Sequence, residues 1–402
     1  MSESLPWTEQ QLSQLANYFN GRAFKPHEWS NKGLAIIRIQ QINNPTQITD
    51  YYDGLDIEDR HRIRNGDLLF SWSATLRALI WKNGDGVLNQ HIFKVVENEN
   101  VNRKFLQSLL EFNMDRLAES SHGSTMKHIR KGVLDEFLVQ VPPLKEQQKI
   151  AEILTSVDEV IENTQSQINK LEDLKKATMN ELLTKGVGHT EFKETEIGRI
   201  PKDWRIRSLE QLVDQNRPIT YGIVQTGEHI PDGVPCIRVV DIVRMKPDIN
   251  RMIRTTHDIS NSYRRTILKT DDILFALRGE IGFVYKVNAY LEGANLTRGV
   301  ALISSSDGVS SNFLVWALRG KLCRQQILDG VNGSALQEIP LGNLRGIKVP
   351  VPCEDEQNHI FQVLSSIELR ISQTQNTINK VGILKQSLMQ DLLTGKVRVS
   401  VN

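Results

Sequence analysis

A stretch of 47 residues occurs twice in this chain, and that repeat limits what the chain can become. From Val141 it reads VPPLKEQQKIAEILTSVDEVIENTQSQINKLEDLKKATMNELLTKGV. From Val351 it reads VPCEDEQNHIFQVLSSIELRISQTQNTINKVGILKQSLMQDLLTGKV. A shift of 210 residues aligns the two without a gap, with 20 of 47 positions identical. Chance does not produce this, so the chain is an internal duplication.

Each copy carries a heptad seam. In the first, the apolar positions are Ile150, Leu154, Val157, Ile161, Ile168, Leu171 and Leu182. In the second they are Ile360, Leu364, Ile367, Ile371, Ile378, Val381, Leu388 and Leu392. Steps of three and four mean helix, not strand. Pro142 and Pro143 suit a helix start; Gly186 and Gly395 suit the exits. Each helix spans about 40 residues, roughly 60 Å at 1.5 Å per residue. A single seam of that length is no globular core, so the copies bury their seams on each other or on another chain. Thr164 and Thr374 interrupt the seams at one step, and Lys175 and Lys385 at another. Polar groups there either fix register or are tolerated at the surface.

The remaining chain forms two mixed α/β units. In the first, the pattern predicts a helix over Glu9–Phe19 and strands over Leu34–Ile42, Asp67–Trp81 (with a turn near Ser73) and Asn89–Val96. A helix over Asn102–Leu117 follows, with Phe105, Leu109, Leu110 and Met114 inward. Next come a polar loop at 120–127 and a strand over Phe137–Val141. The second unit repeats the plan, with strands over Pro235–Ile242 and Asp271–Val287 and a helix over Asn312–Ile327. Arg38 matches Arg238, and Gly123, Ser124, Ile129 and Gly132 match Gly333, Ser334, Ile339 and Gly342. The expected domains are therefore 1–142, a long helix 143–187, 188–352, and a long helix with tail 353–402, with a boundary at the Gly-rich 185–188 junction. The globular parts are less alike than the helices, as expected if two scaffolds carry diverged binding faces.

Composition excludes several classes. At 39% hydrophobic and 24% charged the chain is an ordinary folded protein. No apolar run reaches the ~20 residues that cross a bilayer, and the N-terminus lacks a secretory layout. Three scattered cysteines, Cys236, Cys323 and Cys353, form no disulfide framework, so a reducing cytoplasm is expected. Net charge is +1, but 188–352 alone carries +4, with 15 Arg among its 22 basic residues. Arg suits phosphates and guanine edges. There is no phosphate-cradling GxxxxGK[ST], no GxGxxG, no NPPY-type tetrapeptide (Asn44-Pro45-Thr46 is the nearest), no HExxH and no zinc spacing. His122 and His128 read as loop residues. The chain is expected to bind rather than catalyse, and to hold no metal.

The loops hold groups that read bases. In the first unit these are Asn43, Trp72, Ser73, Thr75, Arg77, Asn89, Gln90, His91, His122, Ser124, Lys127 and His128. In the second they are Tyr221, Gln225, Thr226, Arg244, Arg278, Asn295, Arg298, Asn332, Ser334 and Gln337. Asn and Gln pair with adenine and Arg with guanine, each pair contributing roughly 1–3 kcal/mol of discrimination.

Several motifs together resemble a known family: the VPxxxEQ entries at Val141 and Val351, the repeated helices behind them, the GSxxxxIxxG loops at Gly123 and Gly333, the stretches 66–75 and 271–282, and Asn89-Gln90-His91. Taken twice in order along nearly the whole chain, they resemble the DNA-specificity subunit of type I restriction–modification systems. The resemblance implies two target-recognition domains, each reading half of a split double-stranded DNA target. It implies an antiparallel helix pair that sets the spacer. Two methyltransferase subunits using S-adenosylmethionine and two ATP- and Mg-dependent restriction subunits would complete the complex. Catalysis and cofactors would then belong to those partners. Ala74, where Gly279 stands in the second unit, departs from the pattern, so a differently shaped loop is expected there; Cys353 replaces a second proline. A coiled-coil adaptor for proteins and a single-chain DNA-modifying enzyme are the other readings the residues leave open.

Overall fold

The computed structural model describes residues 6–44, 48, 50–54, 56–120, 129, 131–244, 247–333 and 336–401. Two compact units emerge: Met1–Ser166 with Gln375–Asn402, and Gln167–Thr374. Each takes one globular part and a portion of both long helices.

In the first unit the chain runs β1 (Thr8–Gln11), α1 (Leu12–Leu15), β2 (Ala16–Asn20), β3 (Leu34–Ile37), α2 (Ile39–Asn43), β4 (Tyr51–Tyr52), β5 (Arg62–Ile63), β6 (Leu68–Ser71), β7 (Arg77–Ile80), β8 (Gly86–Leu88), β9 (Ile92–Glu97), α3 (Arg103–Phe112), α4 (Met114–Glu119), α5 (Lys131–Glu136) and β10 (Leu138–Val141). The long helix α6 (Leu144–Lys185) follows. One sheet has the order β2-β9-β6-β7, a second β4-β3-β8-β5, and β1 pairs with β10. One hydrophobic cluster packs Phe70, Phe93, Phe105 and Leu109 against the start of α6 at Ile150 and Leu154. A second, with Ile37, Leu69, Trp81 and Leu88, lies between the two sheets.

Two local expectations are corrected. Glu9–Phe19 is not one helix: Thr8 pairs with Val141 and Ala16 with Glu97, so strand pairing overrides the helical period of Leu12 and Leu15. The strand at Leu34 stops at Ile37, where the side chain of Gln41 accepts from the Arg38 N–H at 3.1 Å and starts α2.

The second unit repeats this plan. Small strands β11 (Phe192–Lys193) and β12 (Ile200–Pro201) lead to β13 (Arg205–Ser208), β14 (Thr220–Tyr221), β15 (Val234–Ile237), α7 (Val239–Val243), β16 (Ile253–Thr255), α8 (His257–Ser262), β17 (Ile273–Ala276), β18 (Val284–Lys286), β19 (Asn295–Leu296) and β20 (Val300–Ile303). Then come α9 (Ser311–Arg319), α10 (Lys321–Asp329), α11 (Leu341–Gly346), β21 (Lys348–Val351) and the second long helix, α12 (Glu354–Leu393). The sheet β14-β20-β17-β18 is buried on both faces, by Phe313 and Ile360 on one side and by Ile237, Ile242 and Leu296 on the other. Here too the strand expected over Pro235–Ile242 ends at Ile237, and the Asp241 carboxylate accepts from the Arg238 N–H at 2.9 Å to begin α7.

In each unit the helices run antiparallel. Ile150 and Leu154, near the start of α6, share a cluster with Met389, Leu392 and Leu393, near the end of α12. Leu183, near the end of α6, shares one with Ile360 and Leu364, near the start of α12. Ile168 is also buried, while Val157, Ile161, Leu171, Ile367, Ile371, Ile378 and Val381 are half-buried. The polar interruptions have distinct fates. Thr164 and Thr374 are buried, and their hydroxyls donate to Val160 O at 2.6 Å and Arg370 O at 2.7 Å, on their own helices. Lys385 pairs with Asp158, and Lys175 with Glu368, each at 2.7 Å. These are the same two repeat positions, once per unit.

The Glu-Gln of the repeat ties helix to globular part. Glu146 accepts from the Trp7 indole at 3.1 Å and from Arg398 Nε at 2.7 Å; Glu356 accepts from the Trp204 indole at 2.9 Å and contacts His189 at 3.0 Å. Burial pushes the Glu146 carboxyl up, but the bonds from Arg398 and Trp7 outweigh it and leave it below the usual carboxylate range. The neighbouring amide holds the start of an earlier helix, α3 or α9: Gln147 Oε1 accepts from Asn102 N at 2.8 Å, and Gln357 Oε1 from Ser310 N at 2.9 Å.

Candidate nucleic-acid interface

In both units the strand ends converge through one hydrogen-bond framework. In the first, Asn89 N donates to Ile37 O at 2.9 Å, Gln90 N to Arg22 O at 3.1 Å, Trp72 N to His91 O at 3.2 Å and Ile129 N to Trp72 O at 2.9 Å. In the second, Thr297 N donates to Ile237 O at 3.0 Å, Arg298 N to Ile223 O at 2.9 Å, Leu277 N to Gly299 O at 2.9 Å and Ile339 N to Leu277 O at 3.0 Å. The bonds correspond one for one. Turn geometry also corresponds, with φ 59° at Ala74 and 67° at Gly279, so the first loop keeps its shape despite lacking glycine. The side chains do not correspond. Trp72, Ser73, Gln90 and His91 stand where Leu277, Arg278, Arg298 and Gly299 stand. One backbone thus presents two different chemical faces.

Individual candidates divide by surroundings. Asn43, Thr75, Arg77 and Gln90 are exposed at the end of the first sheet; Asn43 Nδ2 reaches Thr75 Oγ1 at 3.3 Å, and Arg77 donates to Ile42 O at 3.3 Å. Asn89 is half-buried, its Oδ1 turned back to Gln90 N at 2.7 Å. Trp72 is half-buried against the ring of His91, 4.9 Å between centroids, and bonds Asn20 Oδ1 at 3.2 Å. Ser73 is buried, which removes it from the surface. In the second unit Tyr221, Gln225, Arg244, Arg298, Asn332 and Gln337 are exposed, and Thr226 is half-buried. Arg278 pairs with Glu338 at 2.6 Å, beside the bridge in which Asn332 and Glu338 exchange backbone bonds. Arg244 and Arg298 have no ion pair among the described residues. Asn295 is fully buried, contrary to a role in reading bases: its amide donates to Ser260 Oγ at 3.0 Å and its carbonyl accepts from Thr266 Oγ1 at 2.6 Å. His122, Ser124, Lys127, His128 and Ser334 lie outside the described residues. Among the described residues no cluster of His, Cys, Asp and Glu could hold a metal, and no helix is long and apolar enough to cross a membrane.

Residues 5–173 and 201–382 match the type I restriction modification DNA specificity domain. The chain belongs to that family. It is 28% identical to the type I restriction enzyme EcoBI specificity subunit of Escherichia coli, over 97% of this chain and 86% of that one. It is also 28% identical to the MjaVIII specificity subunit of Methanocaldococcus jannaschii, over 84% and 80%. The fold is that of the type I restriction–modification S subunit of M. genitalium, with TM-score 0.58, 14% identity and coverage of 100% of this chain and 98% of that one. A chain from a structure that bears on complex assembly and conformational transition of the type I R-M system aligns equally well, with TM-score 0.58, 17% identity, and coverage of 99% of this chain and 100% of that one. As a specificity-family protein the chain is non-catalytic, with a role in DNA target specificity.

The specificity fold also shows residues that the base-reading candidates left out. Arg38 lies over the Trp29 ring at 4.8 Å, and Trp29 is exposed. Val240 on α7 is 51% exposed beside the converging loops. The signal for the α2 and α7 starts was present as Arg38-x-x-Gln41 and Arg238-x-x-Asp241, a back-reaching cap hidden inside an apolar run.

Proposed function

We propose that the chain is the specificity subunit of a type I restriction–modification complex, in which recognition domains 1–142 and 188–352 each read one half of a two-part DNA target. The observation that carries this is the shared backbone framework with unlike side chains at its exposed end, Gln90 against Arg298 above all. Base-edge contacts supply sequence, whereas phosphate contacts position. Arg298 and Arg244 would favour guanine, and Gln90 and Asn43 adenine.

The long helices would set the unread gap, since half-site separation follows protein geometry. Methyltransferase and restriction subunits would supply catalysis and the S-adenosylmethionine, ATP and Mg it uses. Leu174 and Leu384 occupy the same repeat position and are 50% and 52% exposed, which would suit one methyltransferase subunit at each. A near-neutral subunit binds DNA weakly alone, because phosphate neutralisation supplies much of the affinity.

The test is to co-express the chain with its methyltransferase partner and sequence the methylated adenines. Arg298→Ala should relax one half of the target, with discrimination there reduced by about 1–3 kcal/mol, and leave the other half intact. Gln90→Ala should do the converse. A change in both halves from either substitution would refute modular reading.

A further inference from the structure

Beside the converging loops of the second unit lies an open cleft of about 430 Å³, lined by Tyr221, Asn261, Ser262, Tyr263, Arg264 and Arg265 among others. Among the described residues its lining contains no carboxylate. Arg264 and Arg265 are exposed, and neither forms an ion pair among the described residues. Tyr221, 38% exposed, stands at the edge of the sheet and pairs with Ala301. From it the chain runs to Ile223, which bonds Arg298 N, so the cleft adjoins the loop face.

The arginine-bearing turn is held rigid from beneath. Asn295 donates to Ser260 Oγ and, at 3.2 Å, to Ser260 O, and it accepts from the Thr266 hydroxyl. The turn closes on itself through Tyr263 N to Ser260 O and Thr266 N to Tyr263 O, both 3.0 Å. Just beyond it, Arg217 donates to Ile267 O at 2.9 Å while held bidentately by Asp272, at 2.6 and 2.8 Å. A buried amide thus fixes the backbone that carries the two exposed arginines, which reduces the main-chain ordering needed when they meet a ligand.

We propose that this cleft seats the sugar–phosphate backbone of DNA alongside the half-site read by the second unit. Arg264 and Arg265 neutralise phosphates, Tyr221 and Asn261 donate hydrogen bonds, and Asn295 is the positioning residue for the turn. The chemistry suits a backbone rather than a base edge. The cations are flanked by hydroxyl and amide donors on an open surface, the set that contacts phosphate and sugar without sequence information. The proposal rests on the reading of the chain as a DNA-specificity subunit.

The experiment uses the complex with methyltransferase subunits, and duplexes with and without the target sequence established for the wild type. Arg264→Ala and Arg265→Ala should each weaken binding to both duplexes about five- to tenfold, and lower the slope of log affinity against log salt by about one. The methylated sequence should be unchanged. Arg207→Ala, which removes an exposed charge on β13 outside the cleft, should leave affinity and slope at wild-type values. Both cleft substitutions are at the surface, so an unchanged melting temperature is the folding control. An altered methylated sequence would make these residues base readers and overturn the proposal. Unchanged affinity and slope in a complex whose wild type is sequence-selective would overturn it as well. A wild-type complex with no sequence selectivity would instead defeat the functional reading, and the cleft proposal with it.

Discussion

Glu146 and Arg398 lie 252 positions apart and form a bidentate pair, Nε to Oε1 at 2.7 Å and Nη2 to Oε2 at 2.8 Å. The first turn of one long helix is thereby clasped to the tail that follows the other, with Trp7 closing the same carboxylate. A charged acceptor with two cationic bonds and an indole bond is among the stronger polar contacts a protein makes.

Glu146→Gln should lower stability by about 2 kcal/mol near neutral pH, since bonds to charged groups contribute about 1.5–3 kcal/mol. The sign with pH follows from the depressed carboxyl. A folded-state value below the unfolded one gives stability that is present above the ordinary carboxylate range and is lost as pH falls through the folded value. Wild-type and variant melting temperatures should therefore converge in acid. A constant difference from pH 7 down to pH 3 would show that the carboxylate charge is not what holds the clasp.

Lys385 answers Asp158 at 2.7 Å and Glu111 at 3.4 Å. Burial first, and the Asp158 charge after it, raise the Glu111 carboxyl against the pull of Lys385. Lys385→Ala would leave two carboxylates facing each other without a cation, and should destabilise by about 3 kcal/mol, as breaking a partly buried pair does. Because Glu111 already titrates high, the variant should recover stability as pH is lowered through the carboxylate range. Thermal melts at several pH values measure this; no recovery in acid would contradict it.

Ala74 sits at φ 59° where Gly279 sits at φ 67°. Left-handed backbone disfavours a Cβ by about 1 kcal/mol. Ala74→Gly should stabilise by about that amount, and Gly279→Ala should destabilise by about the same, because among the described residues an added Cβ at 279 meets only the Val239 side chain, at 3.7 Å. Chemical denaturation of both variants gives the two signs.

Asn295→Ala would strip partners from Ser260 and Thr266 in a fully buried site. Unsatisfied buried groups cost about 1–3 kcal/mol each, so a loss of about 3 kcal/mol is expected by calorimetry. Asn295→Asp keeps the acceptor and loses the donor, and should also destabilise.

Inserting seven residues in both long helices, after Gln165 and Gln375, adds roughly 10 Å of helix. That corresponds to about three base pairs at 3.4 Å each. Sequencing of methylated adenines should show the gap lengthened by about that number, with both half-sites intact. An unchanged gap would remove the helices as the spacer.

The repeat alone determined the duplicated units and the two long seamed helices. The cause is physical, because a seam at three-and-four spacing can be buried only by another helix, and Ile150, Leu154, Ile360 and Leu364 are legible as that seam without coordinates. The family and an antiparallel helix pair were implied only by several motifs taken together. The shared clusters of Ile150 with Leu392 and of Leu183 with Ile360 are what show the antiparallel run in each unit. Local sequence failed where distant strands decided the outcome. Thr8–Gln11 became a strand because Leu138–Val141 lay beside it, and Ile37 ended a strand because Gln41 could cap the next helix. The site was legible only in part. Residue type pointed to Asn295 as a reader, yet tertiary packing placed it at 0% exposure, beneath a turn whose arginines no motif had marked. Residue type sets what a side chain is able to bind; only the packing of segments far apart in the chain decides whether it faces solvent, a neighbour or the core.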